Sequence, residues 1–316
     1  VVRDVDVVIA TSPQLLVGLV GWLRTKLSKA AFVLEVRDIW PESITASGLS
    51  HKHSSLVKIL GTLARFLYRE ADHIVTVTDS MRGYLIKHNN LTPSRVDVIG
   101  GGVNFDLFTN TNDRTVAQRE WDLCGKFVVS YIGTLGAAHD LNTVLAAAAE
   151  LQGPAPDVAF VLAGEGAAKL SLEREAKRNH LTNIRFIDRQ DISKIPSLIA
   201  ASDVCLAVLR NDPLFETVVP TKIFEYMACG KPVLSNIQGE TQHLLNLSGA
   251  GMSVSSGDPG ELVRGILGLR GNKNRSARLG EAGRSYVLAN RSWEKLARDY
   301  MTILKTIMKR ASLGNR

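Results

Sequence analysis

Pro220-Thr221-Lys222 followed by Glu225 places a lysine in the first turn of a proline-led helix and a carboxylate one turn further in. Proline suits that first turn because its missing N–H is not needed there. Gly230 and Pro232 then stop the helix before the apolar residues that follow Val233. The helix start near Val219–Lys222 presents backbone amides and the positive end of a dipole, and Lys222 adds a full charge. That combination suits a diphosphate, and Glu225 suits a ribose diol, whose two hydroxyls can both donate to one carboxylate. A surface pair between Lys222 and Glu225 at i,i+3 is the plainer alternative.

Two further segments carry glycine at the ends of apolar runs. Gly133-Thr134-Leu135-Gly136-Ala137-Ala138-His139-Asp140 follows the run 127–132, and Gly164-Glu165-Gly166 follows 158–163. Glycine lets backbone approach a phosphate closely, although neither segment is the dinucleotide GxGxxG. In an open α/β sheet such loops at the carboxyl ends of strands surround the ligand crevice, so the three segments reinforce one another.

Short β-branched runs alternate with helical patterns along nearly the whole chain. Strands are expected at 6–10, 32–36, 73–78, 96–99, 127–132, 158–163, 184–187, 204–208, 233–236 and 251–254. Helices are expected at 14–29, 56–70, 140–151, 167–179, 220–228 and 259–269, with a further candidate at 293–308. Apolar strands separated by amphipathic helices read as doubly wound parallel sheets covered on both faces, hence an α/β fold. Gly100-Gly101-Gly102 through residue 114 reads as a linker, with the second unit's first strand beginning near Lys126. The expected division is 1–112, 113–290 and a terminal helix over 291–316. The first unit offers only four strands before the linker and begins without methionine, so the chain is expected to lack the opening of its N-terminal domain.

Composition narrows the function classes. The 316 residues are 45% hydrophobic and 22% charged, which suits two globular domains at roughly 100–200 residues each. The formal charge of +7 and pI near 9.4 invite a nucleic-acid reading. From Arg264 onward, however, thirteen basic residues face three acidic ones, and the remainder is slightly acidic. Only 6% of residues are aromatic and they do not interleave with the bases, so no RNA-binding pattern emerges. The basic C-terminal helices suit either a solvated face or an anionic lipid surface. Leu15 to Leu23 is far short of the roughly 20 residues that span a bilayer. With Arg24, Lys26 and Lys29 it reads either as a helix covering its sheet or as one lying on a membrane surface. Cys124, Cys205 and Cys229 have no metal or disulfide spacing, which favours a reducing cytoplasm. The histidines other than His139 (51, 53, 73, 88, 180 and 243) are scattered without zinc spacing and read as surface or loop residues. Asp38 and Glu42 flank Trp40-Pro41, but nothing sets the separation a glycoside hydrolase needs. No P-loop, GxSxG or kinase signature is present.

Together these motifs resemble the GT-B, family-four (group 1) glycosyltransferases. Gly133-Thr134-Leu135, Gly164-Glu165-Gly166, Asn183-Ile184-Arg185-Phe186 and Phe224-Glu225-Tyr226-Met227-Ala228-Cys229-Gly230-Lys231-Pro232-Val233 occur in that family's order. Ala10-Thr11-Ser12-Pro13, Arg37-Asp38-Ile39-Trp40-Pro41-Glu42 and Gly101-Gly102-Val103-Asn104-Phe105-Asp106 agree in the first half. The Arg-Asp-x-Trp-Pro-Glu and Pro-Thr-Lys-x-Phe-Glu-Tyr-Met segments look most like the L-fucosamine and related amino-sugar transferases of O-antigen and capsule biosynthesis. The resemblance covers nearly the whole chain.

The resemblance implies two Rossmann-like domains facing a cleft, the N-terminal one incomplete, with the final helix crossing back. It implies retaining transfer of a sugar from a UDP-sugar to a lipid-linked or surface-polysaccharide acceptor, without a metal and with no cofactor beyond the donor. An N-acetylated amino sugar is the expected donor type, and the location is the cytoplasm or the inner face of the plasma membrane. Donor binding is expected from Gly133, Thr134, Gly136, Gly164, Glu165, Gly166, Arg189, Val219, Thr221, Lys222 and Glu225. Catalytic positions are Glu216, Lys222, Arg37 and Asp38. The family's Glu-x7-Glu pair puts its second carboxylate at Glu225, while its first falls on Thr217 with Glu216 one residue early. Relatives often clamp the diphosphate with bases after the first strand of this domain; here that loop offers His139 alone, leaving more to Lys222. Arg37 and Asp38 stand where such enzymes often have a histidine, and either a cleft role or a mutual ion pair fits them. A UDP-sugar epimerase of the same fold and a non-catalytic nucleotide-sugar-binding protein are the alternatives.

Overall fold

A computed structural model describes residues 5–48, 54–109 and 113–314, with side chains to 310. His51, His53 and the middle of the linker, 110–112, lie outside the described residues. The chain forms two compact units, residues 1–101 with 293–316, and residues 102–292.

In the first unit β1 (Val7–Ser12), β2 (Ala31–Val36), β3 (His73–Thr76) and β4 (Val96–Val98) form one parallel sheet in that order. The terminal helix Trp293–Gly314 belongs to this unit. Its Ile307, with Tyr300, Ile303 and Leu304, packs on Ala31, Val33 and Val75 of the sheet. The helix Leu15–Lys26 covers the sheet by an unusual face: Leu15, Gly18, Gly21 and Thr25 are buried, while Leu16, Val17, Val20 and Leu23 are exposed. A Cβ at Gly21 would come within 2.9 Å of the Ala10 Cβ, and one at Gly18 within 2.8 Å of Leu67. The small residues thus let this helix lie close on the strands, and Leu16, Val17, Val20 and Leu23 are turned outward.

The second unit holds β5 (Phe127–Ile132), β6 (Val158–Ala163), β7 (Ile184–Ile187), β8 (Val204–Ala207), β9 (Val233–Ser235) and β10 (Gly251–Ser253). They form one parallel sheet in the order β10-β9-β8-β5-β6-β7. The order reverses between β5 and β8, which are neighbours although two strands intervene in sequence. The strand ends at such a reversal diverge and leave a crevice at their carboxyl edge. Residues 102–125 are already part of this unit, ahead of the first expected strand. Val103, Phe108, Ala117, Trp121 and Leu123 enter its core, and the helix Arg114–Glu120, capped by Asp113, begins where the expected linker ends. Those apolar residues are too sparse to show a strand or helix period, so Val103 and Phe108 fall within the expected linker and 115–125 carry no expected element.

Candidate donor site at the switch of the second sheet

The β5 carboxyl end turns sharply at Gly133, whose φ of 143° lies where a side chain is strained. The Tyr131 hydroxyl donates to the Thr134 carbonyl at 2.8 Å and closes the turn. The loop after β6 is zipped against it: Gly133 N–H donates to Ala163 O, and Leu135 N–H to Glu165 O, each at 2.8 Å. Gly164 and Gly166 also have positive φ, and a Cβ on either would overlap the backbone of Gly133 or Leu135. These two glycines therefore serve loop-on-loop packing. The Glu165 carboxylate is engaged by the Lys169 amine at 2.7 Å, and Asp188 shares that amine, so Glu165 contributes to the site through its backbone.

The helix Thr221–Ala228 begins beside this turn. No side chain caps its first residues, and Val219 and Thr221 sit at its mouth. Tyr226, fully buried, fixes the helix to β5: its hydroxyl accepts from Ile132 N–H at 3.0 Å and donates to Ile132 O at 3.1 Å. Lys222 points into the Gly133 turn. A Cβ on Gly133 would sit 2.5 Å from its Nζ, so only glycine leaves the slot open. The amine is buried, has no hydrogen-bond partner among the described residues, and lies 3.7 Å from the centroid of the Tyr131 ring. Burial pulls its pKa down to about 7, against a smaller opposing pull from Glu225. Glu225 is half-buried and its carboxyl is raised by burial, with Lys222 opposing. The expected alternative of a surface pair between the two is not what the fold builds. His139 closes the third side; its ring meets the Tyr131 ring edge-on at 5.7 Å and its Nδ1 is buried without a partner. Burial first, then the Lys222 charge, lowers its pKa to about 4.

Behind the site Asp140 and Asn236 tie the loops together. The Asn236 amide donates to Asp140 at 2.9 Å, its carbonyl accepts from Leu209 N–H at 2.9 Å, and Asp140 also accepts from Gly257 N–H. Tyr131, Tyr226 and Asn236 carry no signal as site residues in the sequence, where they read as strand or helix core. Only their partners across the sheet give them a role.

The other candidates are more dispersed. Glu216 is exposed on a 3-10 turn, Phe215–Thr217, whose backbone packs against Gly239. Arg189 is exposed after β7. Gly136 lies against the His139 ring. Arg37 and Asp38 belong to the first unit, after β2. Of the two roles open to Arg37, the mutual pair with Asp38 does not form as a direct ion pair among the described residues. The Arg37 Nε donates to Glu35 at 2.8 Å, and its charge acts on the Asp38 carboxyl only by opposing the effect of burial. The Asp38 backbone carbonyl accepts from Ser12 Oγ at 3.1 Å, and the protein around its carboxyl raises the carboxyl pKa. Among the described residues no three His, Cys, Asp or Glu side chains converge as a metal site requires.

Known proteins share both the sequence and this architecture. Residues 2–102 match the family described as Glycosyl transferase 4-like domain. The chain is 27% identical over 267 residues to the Pseudomonas aeruginosa protein named "Probable glycosyltransferase WbjE"; the match takes in 83% of this chain and 65% of that one, just under two thirds of its length. Anabaena HepE, solved in complex with UDP, superposes with a TM-score of 0.79 at 18% identity, covering 94% of this chain and 78% of that one. Sucrose-phosphate synthase from Thermosynechococcus elongatus gives 0.81 at 19%, covering 96% and 74%. Two parallel α/β sheets, aligned with these structures, make the fold GT-B. Residues 114–286, the whole site-bearing sheet and its helices, match the family described as Glycosyl transferases group 1, and the chain belongs to that family.

Proposed function

We propose that the protein transfers a sugar from a UDP-sugar to a lipid-linked or surface-polysaccharide acceptor, with retention of anomeric configuration. The observation that carries this reading is the Lys222 amine, buried without a partner in a glycine-lined turn at the switch point of the sheet. A buried cation without a counter-charge is costly, and a diphosphate supplies that counter-charge. HepE, of the same fold, was solved with UDP. In this reading the diphosphate lies across the start of the helix Thr221–Ala228, facing its backbone amides, Lys222 and the Gly133 turn, while Glu225 holds the ribose. As the bond between the anomeric carbon and the diphosphate oxygen breaks, negative charge grows on that oxygen. Donors fixed beforehand stabilise it, which is leaving-group catalysis without a metal. The acceptor oxygen forms the new bond, and its proton passes to the departing diphosphate. The amino-sugar subgroup that the motifs resemble points to an N-acetylated amino sugar as donor.

The outward face of the helix Leu15–Lys26, with Lys26 at its end, and the basic terminal helix suit attachment to an anionic membrane at its cytoplasmic face. A thermal-shift screen of UDP-sugars tests the donor site. UDP is expected to stabilise the wild type and to lose that effect in Lys222→Ala and Glu225→Ala. Equal stabilisation of all three proteins overturns the site. Labelled UDP-sugar incubated without acceptor separates transfer from epimerisation, since a freed epimer would show the second activity.

A further inference from the structure

We propose that Tyr131 is a positioning residue: its ring seats the Lys222 amino group beneath the Gly133 turn before donor binds and yields it to the diphosphate when donor binds. The release half of this proposal rests on the donor reading above; the seat does not.

Three observations carry the seat. The Lys222 Nζ lies 3.7 Å from the ring centroid, within the range of a strong cation–π contact, and no oxygen accepts a hydrogen bond from it. The ring cannot turn away, because its hydroxyl is bonded to the Thr134 carbonyl and the side chain is completely buried. The space above the amine is kept open by the missing Cβ of Gly133. The groups that face the amine are Tyr131 from β5, His139 from the loop after it, and Glu225 from its own helix. Among the described residues the Tyr131 ring is the group in direct contact with it. Burial pulls the amine's pKa down to about 7, so near neutral pH its charge is held far less firmly than that of an exposed lysine. The ring face offsets part of the cost of burying the charged form and so holds the side chain in place. A bound diphosphate brings the counter-charge, the amine takes up a proton from solvent, and the ammonium moves from the ring to a phosphate oxygen.

Lysine labelled with 13C at Cε gives the test. In the ligand-free wild type the Lys222 Hε signals, assigned by their loss in Lys222→Arg, are expected well upfield of the other lysines, from the ring current of Tyr131. On addition of UDP they are expected to move to the ordinary lysine position, and uridine is expected to leave them unmoved. Ordinary shifts in the ligand-free protein overturn the seat without any variant being needed. Tyr131→Phe keeps the ring and loses the bond to Thr134, whereas Tyr131→Leu loses both. Tyr131→Phe is expected to bind UDP within about twofold of wild type, and Tyr131→Leu about tenfold more weakly. Tyr131→Leu is also expected to lower the Lys222 titration midpoint by about one pH unit, because the ring stabilises the charged form. Equal losses in the Phe and Leu variants would assign the effect to the hydroxyl and overturn the proposal. If UDP does not bind the wild type, the donor reading and the release both fail, and the ligand-free spectrum still decides the seat.

Discussion

Lys222 costs the fold stability at the pH where the protein is expected to work. An unfolded lysine titrates near 10.5, while the buried one titrates near 7. Between those values the unfolded chain binds more protons, so stability rises with pH across the window and the full penalty is present below about 7. Lys222→Met is therefore expected to raise the melting temperature at neutral pH and to flatten the rise of stability from pH 7 to 10. The same variant should lower sugar transfer by about 100-fold or more, the scale for losing one fixed donor to a developing anion. A variant both less stable and fully active would count against the role given to this residue. His139 follows the same sign, its penalty fading between about pH 4 and its ordinary value near 6.5. Glu225→Gln keeps the shape but loses the charge that would accept two ribose hydroxyls. It is expected to raise KM for the donor about tenfold with a smaller change in kcat, and to bind 2′-deoxy-UDP and UDP alike.

At the scale of elements, the site depends on how one helix and two loops are locked to the carboxyl end of β5. Tyr226 accepts from the N–H of Ile132 and donates to its C=O, at the point where β5 has run past its pairing with β8. Tyr226→Phe would leave those two buried backbone groups unsatisfied, at a cost of about 1–3 kcal/mol in a denaturant melt. Transfer should fall with it, since the helix that carries Lys222 loses its tie. Gly164→Ala would push the two glycine loops apart, because its Cβ would overlap the Gly133 carbonyl. A loss of UDP-induced stabilisation larger than the loss in melting temperature is expected there. Much of this level is readable in sequence: Pro220, Gly230 and Pro232 bracket the helix, and β5, β6 and β7 fall where their apolar runs place them. The helices Asp79–Asn89, Glu240–Ser248 and Lys273–Asn290 are not, because polar residues break their period and packing supplies what propensity lacks.

For the whole molecule, the charge reads differently once the chain is folded. The thirteen bases from Arg264 onward look like one C-terminal block, but the two units divide them at Trp293. Within the second unit Arg270 pairs with Asp157 at 2.7 Å, and Arg284 caps the carbonyl of Ala228, so part of that excess is structural. Among the described residues no helix is long and apolar enough to cross a membrane. Co-sedimentation with anionic liposomes is expected for the wild type and is expected to vanish in Leu16→Asp/Val20→Asp, with UDP-induced stabilisation unchanged. Co-sedimentation that survives this change removes the outward helix face from the membrane reading. Activity is expected to withstand excess chelator, since protein cations and amides carry the diphosphate in the proposed chemistry; a loss restored by a divalent ion would overturn that part.

The sequence by itself determined the alternation of strands and helices, hence a parallel α/β fold, and the segments that converge as loops. Those features follow from local periodicity and from proline and glycine, whose backbone limits act within a few residues. Lys222 and Glu225 were visible for the same reason: they lie on a helix with marked ends. Only the tertiary structure decided what surrounds them. Whether Lys222 meets Glu225, solvent or the Tyr131 ring depends on how β5 lies beside β8, seventy-five residues away in the chain at the Ser130–Cys205 pair. The same holds for Leu15–Lys26, where Gly18 and Gly21 are buried while Leu16, Val17, Val20 and Leu23 are exposed, although composition alone suggests the reverse. Burial, and the pKa shifts and packing it causes, are set by contacts between distant parts of the chain, and no local pattern encodes them.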